Sequence, residues 1–217
     1  MDIEKLFASV EVLYHSSIRI TGEKTVYVDP FGVDRDYRDA DLILITHDHF
    51  DHFSPDDIAK VRGKDTVIVT PASTAKKAEE LGFETVLTAA PGDAFTAAGL
   101  PVLAVAAYNT NKPNHPRANH WVGYVITMNG ARYFVAGDTD DTPEARAVIC
   151  DLALVPIGGT YTTTAQEAAA MVNAIHPAAT VPTHYAAIVG SREDAKKFAE
   201  GLDSGILCRE RMLRTGK

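Results

Sequence analysis

Four aliphatic residues, Leu42-Ile43-Leu44-Ile45, run through Thr46 straight into HDHFDH, His47–His52. A short apolar run of this kind is a buried strand. Its end carries three imidazoles and two carboxylates within six residues. Ligand sites of layered α/β folds lie at the C-terminal ends of strands. The stretch therefore predicts a sheet inside a core, with the chemistry at one edge of it.

Other segments repeat the pattern. Asp138 follows the predicted strand Arg132–Ala136, and His184 follows Ala179–Pro182. Imidazoles and carboxylates converging from such ends form the donor set of a pair of divalent metal ions. Zinc takes nitrogen and carboxylate oxygen readily, and manganese or iron also suits the mixture. In a turn, His47 and His49 project to one side and can share an ion, while Asp51 and His52 come round to a second. A solvated loop is the bland alternative, and it does not account for so dense a cluster directly behind a buried strand.

The remaining elements follow from period and punctuation. Strands are predicted at Val10–Tyr14, Ile18–Ile20, Thr25–Val28, Leu42–Thr46, Thr66–Thr70, Thr85–Leu87, Val102–Ala107, Trp121–Met128, Arg132–Ala136, Leu152–Pro156 and Ala179–Pro182. Asn129-Gly130 between two apolar runs is a type I′ hairpin turn. Ser54-Pro55-Asp56-Asp57 opens a helix with a cap, a proline and acids in the first turn. Thr164-Ala165-Gln166-Glu167 is a capping box, and Ser73–Leu81 and Ser191–Glu200 end at Gly82 and Gly201. Early hairpins and later strand–helix alternation predict two sheets covered by helices. One domain over residues 1–217 fits that length.

Composition excludes some classes. A net charge of −8 argues against a broad phosphate-binding surface, so no nucleic-acid partner is expected. No window approaches the ~18 apolar residues of a membrane span, and MDIEKLFASV is no signal peptide. A cytoplasmic protein acting on a small molecule is expected. Cys150 and Cys208 sit in apolar surroundings without CxxC spacing and are read as unpaired, chemically idle thiols.

The H-x-H-x-D-H pattern of His47, His49, Asp51 and His52 resembles the metallo-β-lactamase superfamily of metal-dependent hydrolases. HSS at His15–Ser17, DPFG at Asp29–Gly32, AGDTD at Ala136–Asp140, PIGGTYT at Pro156–Thr162 and PTHY at Pro182–Tyr185 follow in the order that superfamily shows. The DPFG and PIGG segments look most like the branch that includes ascorbate-6-phosphate lactonase. The resemblance implies an α+β fold, a four-layer αββα sandwich with two metal ions, zinc first among the candidates, between the sheet edges. It implies His47 and His49 on the first ion, Asp51, His52 and His184 on the second, and Asp138 bridging them.

One departure stands out. Relatives in this branch place a histidine after the strand that here ends AVAAYN, and this chain has Asn109 there. His115, in NTNKPNHPRANH, is the natural third ligand of the first ion. His120, Asn109 itself or a one-ion site are the alternatives. Asp29 is placed to accept the free ring N–H of a metal-binding histidine, with plain Asp-Pro turn chemistry as the alternative. His15, on the first hairpin, faces the site from behind the ligands or packs as an ordinary buried histidine. His176 ends a helix and is structural. Gly158 and Gly159 let the backbone turn close to the site.

Metal-bound water loses much of its proton affinity, from about 15.7 towards roughly 7, which gives a hydroxide nucleophile at neutral pH. Asp51 would orient it and carry a proton to the leaving group. Lys112 and Arg117, on the same loop as His115, either hold an anionic ester, lactone or phosphodiester or belong to a solvated polar loop. A nuclease of the same superfamily and a non-catalytic metal-binding protein on this fold are the competing functions.

Overall fold

A computed structural model describes residues 2–216. Helix α1 (Ile3–Ala8) leads into β1 (Val10–Tyr14), β2 (Ser17–Thr21), β3 (Thr25–Val28) and β4 (Ala40–Leu44). There follow α2 (Pro55–Val61), β5 (Arg62–Thr70), α3 (Ala72–Glu80) and β6 (Thr85–Thr88). These six strands form one sheet in chain order, antiparallel from β1 to β3 and parallel from β3 to β6.

The second half repeats the plan. Strands β7 (Ala94–Ala97), β8 (Leu100–Ala106), β9 (Val122–Met128) and β10 (Ala131–Val135) form an antiparallel meander. Helix α4 (Pro143–Arg146), β11 (Leu152–Pro156), α5 (Ala165–Ile175), β12 (Ala179–Thr183), α6 (Arg192–Glu200) and β13 (Leu207–Cys208) add parallel strands and their helices. The result is the four-layer αββα sandwich predicted from sequence.

Alternation builds the layers. Val26, Val28, Leu42 and Leu44 of the first sheet face Tyr124, Ile126, Val135 and Leu154 of the second in one apolar cluster. The opposite faces bury against helices: Tyr27, Ile43 and Ile68 against Ile58, Val61 and Ala78, and Phe134, Ala153 and Val155 against Ala168, Val172 and Phe198. Removing Val-to-Phe-sized side chains from water is worth about 1.5–3 kcal/mol each, so these faces hold the layers together.

The predicted caps form. Ser54 accepts from Asp57 N–H with Pro55 at the first helical position, and Thr164 and Glu167 close a capping box. Asn129 and Gly130 have φ of 57° and 72°, as a type I′ turn requires. Helix α1, α4, β7 and β13 went unpredicted, and each is short. Cys150 and Cys208 are unpaired, and burial pushes their thiols up to about 12 and about 11. Among the described residues, no helix is long and apolar enough to cross a membrane.

At one edge the two sheets are stitched together. Tyr124 Oη donates to the Ile45 carbonyl at 2.7 Å and Val122 N–H to that of Thr46 at 3.2 Å. The chain leaving β4 is thereby held against β9, and HDHFDH begins there.

Candidate metal centre

Four loops meet at that edge. The turn after β4 brings His47, His49, Asp51 and His52, and the loop after β8 brings His115. Asp138 follows β10 and His184 follows β12. All are buried except half-buried His49. Their donor atoms fall into overlapping groups, each within 4.8 Å: His47, His49 and His115; His52, Asp138 and His184; His15, Asp51 and His184; and Asp29, His47 and His52.

Hydrogen bonds orient the rings. Thr46 Oγ1 donates to Asp29 Oδ2 at 2.6 Å, so it accepts from His47 Nδ1–H at 2.9 Å. His52 Nδ1–H donates to Asp29 Oδ2 at 2.7 Å. His115 Nδ1–H donates to Asn109 Oδ1 at 3.0 Å. In each case Nε2 is left as the free lone pair, which is how residues behind a metal site set the tautomer of its histidines.

The inward atoms lack partners in the protein. Among the described residues, every buried side-chain polar atom without a hydrogen bond, Ser17 Oγ excepted, belongs to His15, His52, His115, Asp138 or His184. Such atoms are costly unless something satisfies them. His47 Nε2 stands 3.1 Å from His49 Nδ1. His52 Nε2 is 3.3 Å from Asp138 Oδ1, and His184 Nε2 and His115 Nε2 are 3.1 and 3.3 Å from Asp138 Oδ2. Donors spaced like this around a common centre fit divalent ions.

The electrostatics agree. Burial first, then neighbouring His52, holds the His47 imidazole well below the usual histidine range, so it is neutral as a ligand must be. Burial opposes the charge on Asp138, but His184, His52 and the close approach of His115 outweigh it and keep the carboxyl well below its ordinary value. Burial also disfavours a charged His52, yet Asp138 and Asp29 together raise it well above normal. Without an ion that positive charge is a second proton on His52, held between two carboxylates where a metal ion would displace it.

At the Asn109 departure the structure brings His115 into a donor group with His47 and His49. His120 is exposed with φ of 53° and belongs to none of the donor groups. Asn109 sits behind His115 as its acceptor. Asp29 takes the orienting position, holding His52 and Thr46 at once. His176 caps α5 and is exposed. At Gly158 a β-carbon would collide with the His184 carbonyl, and Gly159 has φ of 76°, so both places need glycine.

The structure adds surroundings to three of the expected residues. The His15 ring lies beside the donor side chains, 3.9 Å from that of His184, with neither nitrogen hydrogen-bonded. Burial pushes this imidazole down to about 4, against the pull of Asp51. Lys112 and Arg117 are not free cations. Lys112 Nζ is 2.5 Å from Asp140 Oδ1, and Arg117 pairs with Glu144 at 2.6 Å while lying over the Tyr108 ring. Sequence showed the charges but not the partners, which lie 28 and 27 positions away.

Sequence also missed the surroundings of the rings. Trp121 packs 5.0 Å from both His47 and His49. Phe50, on the turn between His49 and Asp51, is 70% exposed and meets Phe31 edge-on, which in turn meets Tyr14. A groove of about 980 Å³ runs along β8 and β9, and its lining includes Tyr108, Arg117, His120 and Trp121.

A sandwich of two mixed sheets with buried imidazoles and carboxylates at one strand edge defines a metallohydrolase of the metallo-β-lactamase type. Residues 9–184 match the beta-lactamase superfamily domain, and the chain belongs to that superfamily. It is similar to a UPF0173 metal-dependent hydrolase of Thermoplasma acidophilum, 33% identical over 196 residues, covering 85% of this chain and 86% of the relative. Another UPF0173 metal-dependent hydrolase, from Thermus thermophilus, is 31% identical over 204 residues, with 88% and 90% covered. The crystal structure of a putative metal-dependent hydrolase from Parabacteroides distasonis superposes with a TM-score of 0.79 at 34% identity, covering 94% of this chain and 93% of that one. The chain is a metal-dependent hydrolase.

Proposed function

We propose that this hydrolase opens a small ester, lactone or phosphodiester at a centre of two divalent ions, with zinc the first candidate and manganese or iron(II) the alternatives. One observation carries it: the buried, unpartnered Nε2 atoms of His52, His115 and His184 all stand within 3.3 Å of the Asp138 carboxylate. His47, His49 and His115 would hold the first ion and Asp51, His52 and His184 the second, with Asp138 between them.

Ions bound there would acidify water and polarise the scissile carbonyl or phosphoryl oxygen. The chain's own residues do the rest. Asp29, Thr46 and Asn109 hold three imidazoles in one tautomer, so the donor set is preorganised. The Trp121 ring closes one side of the histidines against solvent. The Asp51 carboxylate, at a less enclosed position than Asp138, takes the proton of the attacking water and returns it to the leaving group.

The substrate class follows from the mouth. Lys112 and Arg117 arrive neutralised by Asp140 and Glu144, whereas Phe50 offers exposed aromatic surface beside the ligands. This arrangement supports a substrate gripped by an apolar group near the reacting bond rather than by a remote anion. Protein purified without chelators should contain metal by elemental analysis and hydrolyse at least one of a generic ester, lactone or phosphodiester, losing that activity on chelation. Undiminished turnover by metal-free protein overturns the proposal, as does inactivity of the metal-loaded protein towards all three classes.

A further inference from the structure

His15 occupies a place that chemistry would sooner give to glycine. It is the first of two residues turning β1 into β2, and its φ is 54°. Such hairpin turns favour glycine, asparagine or aspartate where φ is positive. A histidine kept in a strained position is a pointer to function. Here the ring gains no hydrogen bond in return, for both nitrogens are buried without a partner.

The backbone sets where that ring goes. His15 O accepts the N–H of His184 at 3.0 Å, which pins the first hairpin of one sheet to the end of β12 in the other. His184 is itself left-handed, with φ of 56°. The two rings lie 3.9 Å apart, and His15 Nε2 stands 3.4 Å from Asp51 Oδ2. A charge-assisted hydrogen bond between such groups would close to about 2.7–2.9 Å. Two donors each about 2.1 Å from one tetrahedral ion are, by contrast, about 3.4 Å apart.

We propose that His15 is a direct ligand of the second ion, sharing it with Asp51 and His184. The proposal rests on the two-ion centre put forward above. A ligand from β1–β2 would join the first hairpin, the turn after β4 and the end of β12 through one cation. Five protein donors would then surround that ion, namely His15, Asp51, His52, Asp138 and His184. This exceeds the four of tetrahedral zinc and suits an ion of higher coordination number.

The test compares metal-free wild type with His15→Gly and His15→Gln. Glycine fits the left-handed backbone, so the turn survives, and it leaves space for free imidazole. Each protein is titrated with Co²⁺ against a chelating indicator. The exchangeable, paramagnetically shifted imidazole N–H signals of the loaded protein are then counted by NMR. The wild type should take two ions. Both variants should keep first-ion affinity but bind the second about 100-fold or more weakly, beyond what loss of a supporting residue commonly costs. His15→Gly should lack one shifted signal and recover second-ion binding with added imidazole. Second-ion affinity and signal count equal to wild type in both variants overturn the assignment of His15 alone. A wild type that binds fewer than two ions overturns the two-ion centre and this ligand with it.

Discussion

Asn109 Oδ1 accepts both the backbone N–H of His115, at 2.9 Å, and its ring Nδ1–H, at 3.0 Å. The amide cannot be turned round, because its Nδ2 donates to Asp140 Oδ1 at 3.1 Å and to the Tyr161 carbonyl at 2.9 Å. An acceptor fixed in this way forces the proton of His115 onto Nδ1 and frees Nε2 for the cluster. The residue at the expected ligand position thus orients the ring of the histidine proposed as ligand. Asn109→Ala should therefore weaken first-ion binding about 10–100-fold, His115→Ala should weaken it more, and His120→Ala should leave it unchanged. Competition titration checks the order, and a His120→Ala effect equal to that of His115→Ala would reverse the assignment.

Ions held by donors from such distant segments would be part of the fold. Ions at 100 times their dissociation constant add about 2.7 kcal/mol each. At about 2–4 °C per kcal/mol for a chain of this size, chelation should lower Tm by roughly 5–10 °C for each ion. Re-addition should restore it. The same Tm with and without chelator, measured on metal-containing protein, would contradict this coupling.

Asp138 faces His52, His115 and His184 at once. Asp138→Asn keeps the size but removes the negative charge shared by the two positions. Turnover should fall by more than the ~10–100-fold typical of a supporting residue, with the circular dichroism spectrum unchanged. A variant retaining wild-type kcat would take Asp138 out of the centre.

How much of this was legible in sequence depends on the reach of each contact. Strands β4 and β11 announced themselves because Leu42–Ile45 and Leu152–Val155 are apolar over their whole length, and such runs are buried wherever they fall. His115 was preferred over His120 from position alone, and the fold buries His115 beside His47 and His49 while leaving His120 exposed. Helix α1 has six residues, too few for a periodic signal, and AFTA of β7 is a strand only because β8 pairs with it. The partners of Lys112 and Arg117 depend on α4 and the Asp138 loop folding back beneath Tyr108. His15 entered the centre through a backbone bond to His184 that local sequence does not encode.

Asp57 ties the DPFG loop to α2 and gives a pH signature remote from the metal ligands. Its carboxylate accepts Gly32 N–H at 2.8 Å, Val33 N–H at 3.0 Å, Ser54 Oγ at 2.9 Å and Lys60 Nζ at 2.8 Å. Burial opposes its charge, but Lys60, Ser54 and the Gly32 N–H prevail and lower its pKa. The folded value lies below the unfolded one of about 3.9, so the stabilisation is complete above about pH 4 and is lost as pH falls through the lowered value. In metal-free protein, Asp57→Asn should cost about 1–3 kcal/mol at neutral pH. The gap from wild type should shrink towards pH ~3. Urea melts across that range check it, and a gap that stays constant would show that Asp57 is held by shape alone.

The ion pair Lys112–Asp140 decides between two roles for the loop after β8. Asp140 Oδ2 accepts the Thr110 N–H at 2.8 Å while Oδ1 takes Asn109 Nδ2 and Lys112 Nζ. Lys112 therefore neutralises a buried carboxylate that holds Asn109, and Asn109 aims His115. Removing one partner of a buried pair leaves the other charge exposed to its full desolvation cost. Lys112→Gln should loosen this loop and weaken first-ion binding, with equal effects on KM for an anionic substrate and its neutral analogue. Arg117→Gln should do little, since its side chain is 70% exposed and such surface pairs contribute only about 0–1 kcal/mol. If either change instead raised KM selectively for the anionic substrate, the cation would be binding substrate and the structural role assigned to the Lys112–Asp140 pair would fall.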